Sequence, residues 1–223
     1  MQHITPEVWD RYWQSVSSHK ASDYHNVHVD LFLALRKSVK SKADPDAEPE
    51  CVTSPVFDDF RSLLNLVIVT GESYEMWQDE VICTVPKVPG SAALDDTRPI
   101  GLVPILRNVF MGIQTMLMQD TWDETRLLST LQHGFVRKMG TQGLRLIQNT
   151  IYEFAYLFRV DTVTVSEDTM RAFDSVIQTM FELFLMRLGA PDALVAFDTK
   201  VNNSSFTRVR TQHGYSARSK SLS

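Results

Sequence analysis

The residues best placed to do chemistry lie in Asp168-Thr-Met-Arg-Ala-Phe-Asp-Ser-Val176. An apolar, β-branched run from Val160 to Val165 precedes this segment, and an amphipathic helical pattern follows it. That order predicts a strand ending near a carboxylate, Asp168, with an aromatic, Phe173, five residues on. A carboxylate there can hold a metal ion, or Asp168 or Asp174 can satisfy the free amides of the helix that starts beside them. Upstream, Lys87 and Arg98 are two cations suited to an anionic ligand or to plain solvation. His25, His28 and Asp30 have a spacing that a helix could present to a metal, but no further ligand accompanies them, and surface histidines are the simpler reading. Basic residues also gather at the end of the chain. Lys200, Arg208, Arg210, Arg218 and Lys220 lie in a stretch with no acid, although the net charge is −5. Such an end can face phosphate or form a solvated tail.

Several elements must position these groups. Thr5-Pro6-Glu7 reads as an N-cap, a first-turn proline and an acid at the positive end of a helix running to about Ser17. A second helix is predicted over Val27 to Val39, with Val27, Leu31 and Leu35 on one face. Lys42 to Pro55 is rich in proline and acid and reads as a linker. Ser54-Pro55 starts a third helix, with Phe57, Phe60, Leu64, Val67 and Ile68 in a stripe and Gly71 as its stop. A strand over Glu80 to Val85, a polar loop through Asp96 and a helix over Arg98 to Asp120 come next. Thr141 or Gly143 opens another helix, whose Leu144, Ile147, Ile151, Phe154, Ala155 and Phe158 share a face. Strand Val160 to Val165 and helix Ser175 to Leu188 follow, the latter stopped by Gly189-Ala190-Pro191. The apolar stripes read as core.

Five segments occur in a telling order: Trp77 with Val81-Ile-Cys-Thr-Val-Pro-Lys87, Thr97-Arg-Pro-Ile-Gly-Leu102, Leu131-Gln-His-Gly-Phe135, Ala172-Phe-Asp-Ser-Val176, and Leu188-Gly-Ala-Pro191 before an apolar helix. Over Pro55 to Ser216 they resemble the reverse-transcriptase domain of non-LTR retrotransposons. The resemblance implies an α+β fold, with a mainly helical fingers region and a partial palm around the Val160 to Val165 strand. The organisation would be an N-terminal helical segment and linker over 1–50, a fingers-like region over 51–158 and a partial palm over 159–223. Asp168 would be the catalytic carboxylate and a ligand of the magnesium ions. Lys87 and Arg98 would hold the triphosphate, and Phe173 would pack beneath the sugar. The substrates implied are deoxynucleoside triphosphates, with an RNA template and a DNA primer. Lys87, Arg98 and Asp168 should then converge on one cleft. Gln132 and His133 would be structural, His133 being satisfied by hydrogen bonds.

The departures from the family are equally specific. Arg107 stands where the family often has Lys. Glu167 puts a charge where many relatives bury an apolar residue. Thr211-Gln-His-Gly-Tyr-Ser216 looks like the approach to the family's Gln-Gly-Pro turn, yet no Asp follows Asp198 and the paired aspartates are missing. The reading is therefore an RNA-directed DNA polymerase fragment of a retrotransposon, inactive alone. The alternative is a non-catalytic domesticated fragment that binds nucleic acid or a protein partner; the third is an unrelated helical interaction domain. An uncovered sheet edge and uncovered helix faces should favour self-association. The 223 residues suit one large domain or two small ones. No apolar run approaches the roughly 20 residues that span a bilayer, and no signal-peptide pattern opens the chain. Cys51 and Cys83 give neither zinc spacing nor a disulfide framework, so the expected setting is intracellular, cytoplasmic or nuclear.

Overall fold

Thr5 caps the first helix as its sequence suggests: its Oγ1 accepts from the Val8 amide at 3.3 Å, and Pro6 takes the first helical position. In a computed structural model, the structure describes residues 3–18, 23, 25–36, 38–39, 50–51, 54–87, 96–134, 136–137, 139–168, 176–211 and 213–220. They fall into two compact units, one of Met1–Gln114 with Ile177–Ser223 and one of Thr115–Val176.

In the first unit, helix α1 (Pro6–Ser15) buries Trp9 and Trp13, one turn apart. Trp9 lies 5.0 Å from the Phe57 ring of α3 (Pro55–Thr70), centroid to centroid, and Trp13 stacks at 5.4 Å on Phe32 of α2 (Val29–Leu35). Aromatic pairs of this kind add about 0.5–1.5 kcal/mol beyond the area they bury. Helix α2 is shorter than the predicted Val27 to Val39, and its buried face is Val29 and Phe32, leaving Leu31 52% exposed. The larger Phe32 ring wins the inward position over the Val27–Leu31–Leu35 row. Beyond α2, β1 (Ser38–Val39) pairs with β2 (Glu50–Cys51). Helix α3 buries Phe57, Leu64, Val67 and Ile68 and ends at Gly71, whose φ of 66° is the left-handed cap that glycine adopts without strain.

The sheet is built on β3 (Asp79–Pro86). Strand β4 (Thr97–Leu102) pairs with it antiparallel, and β5 (Phe206–Thr211) pairs with it parallel; β6 (Gly214–Tyr215) and β7 (Ser219–Lys220) pair with β5. Two expectations change here. Residues 97–102 form an edge strand rather than the start of a helix, and Pro99 is tolerated because an edge strand has one side without a ladder. Helix α4 (Ile105–Thr125) begins only after Pro104. Of the basic residues near the end of the chain, Arg208 and Arg210 lie on β5, an interior strand of the sheet, while Lys200 is on the helix Asp192–Asn203 and Lys220 on β7.

A second aromatic cluster holds the sheet to the helices. Trp77, Phe110 of α4 and Phe197 are fully buried, with Phe110 and Phe197 4.8 Å apart and Trp77 5.7 Å from Phe110. Phe197 comes from α7 (Asp192–Asn203), which follows Gly189 at φ 77° and Pro191. Gly112 lets α4 approach α1, since a Cβ there would lie 2.8 Å from the Tyr12 ring.

The remaining helices correct the sequence reading most. Helix α5 (Thr141–Phe158), in the second unit, buries only Ala155; Leu144, Ile147, Ile151, Phe154 and Phe158 are exposed. Helix α6 (Gln178–Arg187), in the first unit, buries only Leu185. These stripes are surfaces within their units, not core. Residues 160–168 are exposed and form no helix or strand, so Val160 to Val165 is not the centre of the sheet; Val163 is 90% exposed. β-Branched residues favour a strand only where a neighbouring strand and a packed face are present. Among the described residues the architecture is thus helices with a small mixed sheet and the two-stranded β1–β2 pair, compatible with the α+β class. No helix among the described residues is long and apolar enough to cross a membrane.

Candidate functional site

Lys87 and Arg98 lie at one end of the β3–β4 hairpin. The Lys87 amide donates to the Asp96 carbonyl at 2.6 Å, and Arg98 pairs across the ladder with Val85. Both side chains are exposed. The hairpin brings these two predicted residues to the same end because β3 and β4 pair antiparallel in a register that sets Val85 opposite Arg98 and Pro86 opposite Thr97.

Arginines from the far end of the sequence join this sheet. Arg208 pairs with Val81 and Arg210 with Cys83, while Arg98 pairs with Val85. Val81, Cys83 and Val85 alternate onto one face of β3, and residues paired in a ladder project to the same side. Arg98, Arg208 and Arg210 therefore share a face. All three are exposed, and none makes an ion pair among the described residues. The Arg-Val-Arg alternation of residues 208–210 signals a shared face, but nothing local signals that β5 joins β3. Of the other basic residues near the end, Lys200 pairs with Glu72, and Arg218 pairs with Asp79 at 2.6 Å while covering the Phe206 ring.

At the base of the sheet, His25, Asp79, Glu80, Val81, Arg208 and Tyr215 line a cleft of about 270 Å³. His25 is held in place by Asp23, a residue with no signal in the sequence. The buried Asp23 carboxylate accepts from the His25 and Val27 amides, both at 2.9 Å, and from the first amide of α4, Ile105, at 3.1 Å. No group of three His, Cys, Asp or Glu side chains able to hold a metal occurs among the described residues, and this includes His25, His28 and Asp30.

Asp168 is exposed in the irregular chain after α5, in the second unit. That chain is tied back to its helix: the Val160 amide donates to the Ala155 carbonyl at 2.9 Å, and the Tyr152 and Thr164 hydroxyls lie 3.0 Å apart. Phe173 and Asp174 lie outside the described residues. His133, expected to be satisfied, has its buried Nδ1 without a hydrogen-bond partner among the described residues, because that edge of the ring faces Gly143 of α5. Gln132 donates to the Gly134 carbonyl at 3.0 Å.

One further carboxylate has an altered acidity. Burial raises the Asp198 pKa, and hydrogen bonds from Gln178 and Asn202 and the charge of Arg107 only partly offset that. No family model matches the chain, and no curated protein matches it.

Proposed function

We propose that this chain is a reverse-transcriptase-type domain, in which the β3–β4 hairpin holds the triphosphate of an incoming deoxynucleotide. The observation that carries the reading is the placing of Lys87 and Arg98 at one end of one hairpin, within the ordered series of segments that resembles the family. Phosphoryl transfer asks the protein chiefly for positioning and charge stabilisation. An ammonium and a guanidinium at the same end of one hairpin can supply both, since charge-assisted hydrogen bonds to phosphate are among the strongest available. Asp168 is the metal-binding carboxylate on this reading, and Phe173 the residue beneath the sugar; template RNA and primer DNA complete the substrates.

Magnesium, which Asp168 would help to hold on this reading, would supply charge neutralisation at the triphosphate and at the attacking hydroxyl. It asks for near-octahedral oxygen ligands, usually from more than one carboxylate. Among the described residues Asp168 belongs to no cluster of metal-ligating side chains, so they do not make up a two-metal site. What this chain's own residues supply is recognition of the nucleotide.

The test is a titration with a fluorescent deoxynucleoside triphosphate, against the corresponding diphosphate and monophosphate. Affinity should rise with phosphate number, and Lys87→Ala and Arg98→Ala should each weaken triphosphate binding about tenfold or more, as losing a charged hydrogen bond does. Equal affinity for all three nucleotides, or variants that bind like the parent, would refute the reading. A second reading, a binder of nucleic acid without chemistry, is favoured by the exposed face of Arg98, Arg208 and Arg210.

A further inference from the structure

We infer that the apolar stripe of α5 recognises a second copy of this chain, whose own α5 lies antiparallel on it about a twofold axis at the level of Asn149. Leu144, Ile147, Ile151, Phe154 and Phe158 follow one another at steps of three, four, three and four residues, the spacing that keeps one seam of a helix turned toward one partner. They are 50%, 43%, 52%, 56% and 65% exposed in that order. The two charged side chains of α5, Arg145 and Glu153, fall on the far side of the helix, while Gln148 and Thr150 flank the stripe. A contact along the stripe therefore desolvates no charge of this helix.

What commits the stripe to a second copy is its symmetry. Counted outward from Asn149, Ile147 answers Ile151 and Leu144 answers Phe154. In an antiparallel pair centred there, Ile147 of each copy stands level with Ile151 of the other, and Leu144 of each with Phe154 of the other. Every apolar layer is then made twice. A twofold interface demands this, because whatever suits residue i against j must also suit j against i. A different partner would gain nothing from it. The antiparallel arrangement also sets the positive end of each helix beside the negative end of the other. The exposed parts of the five side chains offer on the order of 500 Å² per copy, taking roughly 200 Å² for a large apolar side chain that is fully open. A pair would bury about 1,000 Å², which reaches the lower bound for a specific interface and suits a dimer of about micromolar strength.

The test is sedimentation equilibrium of the full chain, with variants on the two sides of the same helix. Ile147→Glu and Ile151→Glu, at the centre of the seam, should each weaken dimerisation at least about tenfold. Leu146→Glu and Tyr156→Glu, at positions 68% and 85% exposed on the far side, should leave it within about twofold of the parent, as peripheral changes do. Register is read by oxidative cross-linking in chains that also carry Cys51→Ser and Cys83→Ser. A mixture of Leu144→Cys and Phe154→Cys chains should form a mixed disulfide. Either variant alone should form little, since its two copies of the new thiol would stand about 15 Å apart along the helices. Cross-linking of each variant with itself and not with the other would reveal a parallel pair and overturn the inference. Equal losses from the two sides of α5 would show unspecific adhesion, and dimers that survive Ile147→Glu and Ile151→Glu would place the interface elsewhere; both overturn it, as does a parent that stays monomeric well above micromolar concentration. The sedimentation variants change only exposed side chains, so that arm decides the matter if the chain without its two native cysteines does not fold.

Discussion

Asp198 lies where burial disfavours its charge, and the consequence for stability has a definite sign. Burial raises its pKa above the ordinary aspartate value, with Gln178, Arg107 and Asn202 acting against that and Glu182 adding to it. Folding therefore favours the protonated form. The stability this contributes is full below the ordinary pKa and is lost as pH rises through the raised one. Asp198→Asn should melt higher than the parent at neutral pH, and the difference should shrink as the pH approaches the ordinary carboxylate value. Thermal melts at the two pH values decide it, and a lower melting temperature for the variant at neutral pH would contradict the account. At this scale the sequence shows which residues are charged or aromatic but seldom what they touch. Asp23 is the clear case: it caps α4 through the Ile105 amide, 82 residues away, a pairing that no local pattern marks.

Elements are legible where their own ends are built from local groups. Thr5-Pro6, Ser54-Pro55 and Gly71 mark helix ends because caps, prolines and left-handed glycines act within a few residues. Elements that need a distant partner are not. The run from Val160 to Val165 has strand composition but pairs with no strand among the described residues, whereas Phe206–Thr211, two-thirds Thr and Arg, is a strand because β3 receives it. The Arg98 to Asp120 pattern conceals an edge strand before the helix for the same reason. Exposed stripes on α5 and α6 bring a further consequence. Contiguous apolar surface promotes association, so the chain should self-associate with rising concentration in sedimentation velocity. Phe154→Glu on α5 and Leu183→Glu on α6, at positions 56% and 52% exposed, should reduce association while leaving the stability within about 0.5 kcal/mol of the parent's. A parent chain that stays a monodisperse monomer would contradict this.

For the whole molecule, two units carry different parts of the proposed chemistry: Lys87 and Arg98 lie in the first and Asp168 in the second. The mixed class of helices and sheet was open to a sequence reading; the site was open only in part, because Lys87 and Arg98 share a local hairpin while the Arg208 and Arg210 face depends on a long-range parallel pairing. On the proposed reading Asp168 is the one carboxylate available to the metal, with no aspartate in the sequence after Asp198, so this chain alone should extend no primer on an RNA template with magnesium or with manganese. Extension by the parent that disappears in Asp168→Ala would contradict that and require further metal ligands. The central claim is that the hairpin holds a nucleotide, and photolabelling tests it most directly. A deoxynucleoside triphosphate with a photoreactive group on its γ-phosphate should label peptides containing Lys87 or Arg98, and excess unlabelled triphosphate should suppress the labelling. Labelling confined to other peptides, or insensitive to that competition, would contradict the account.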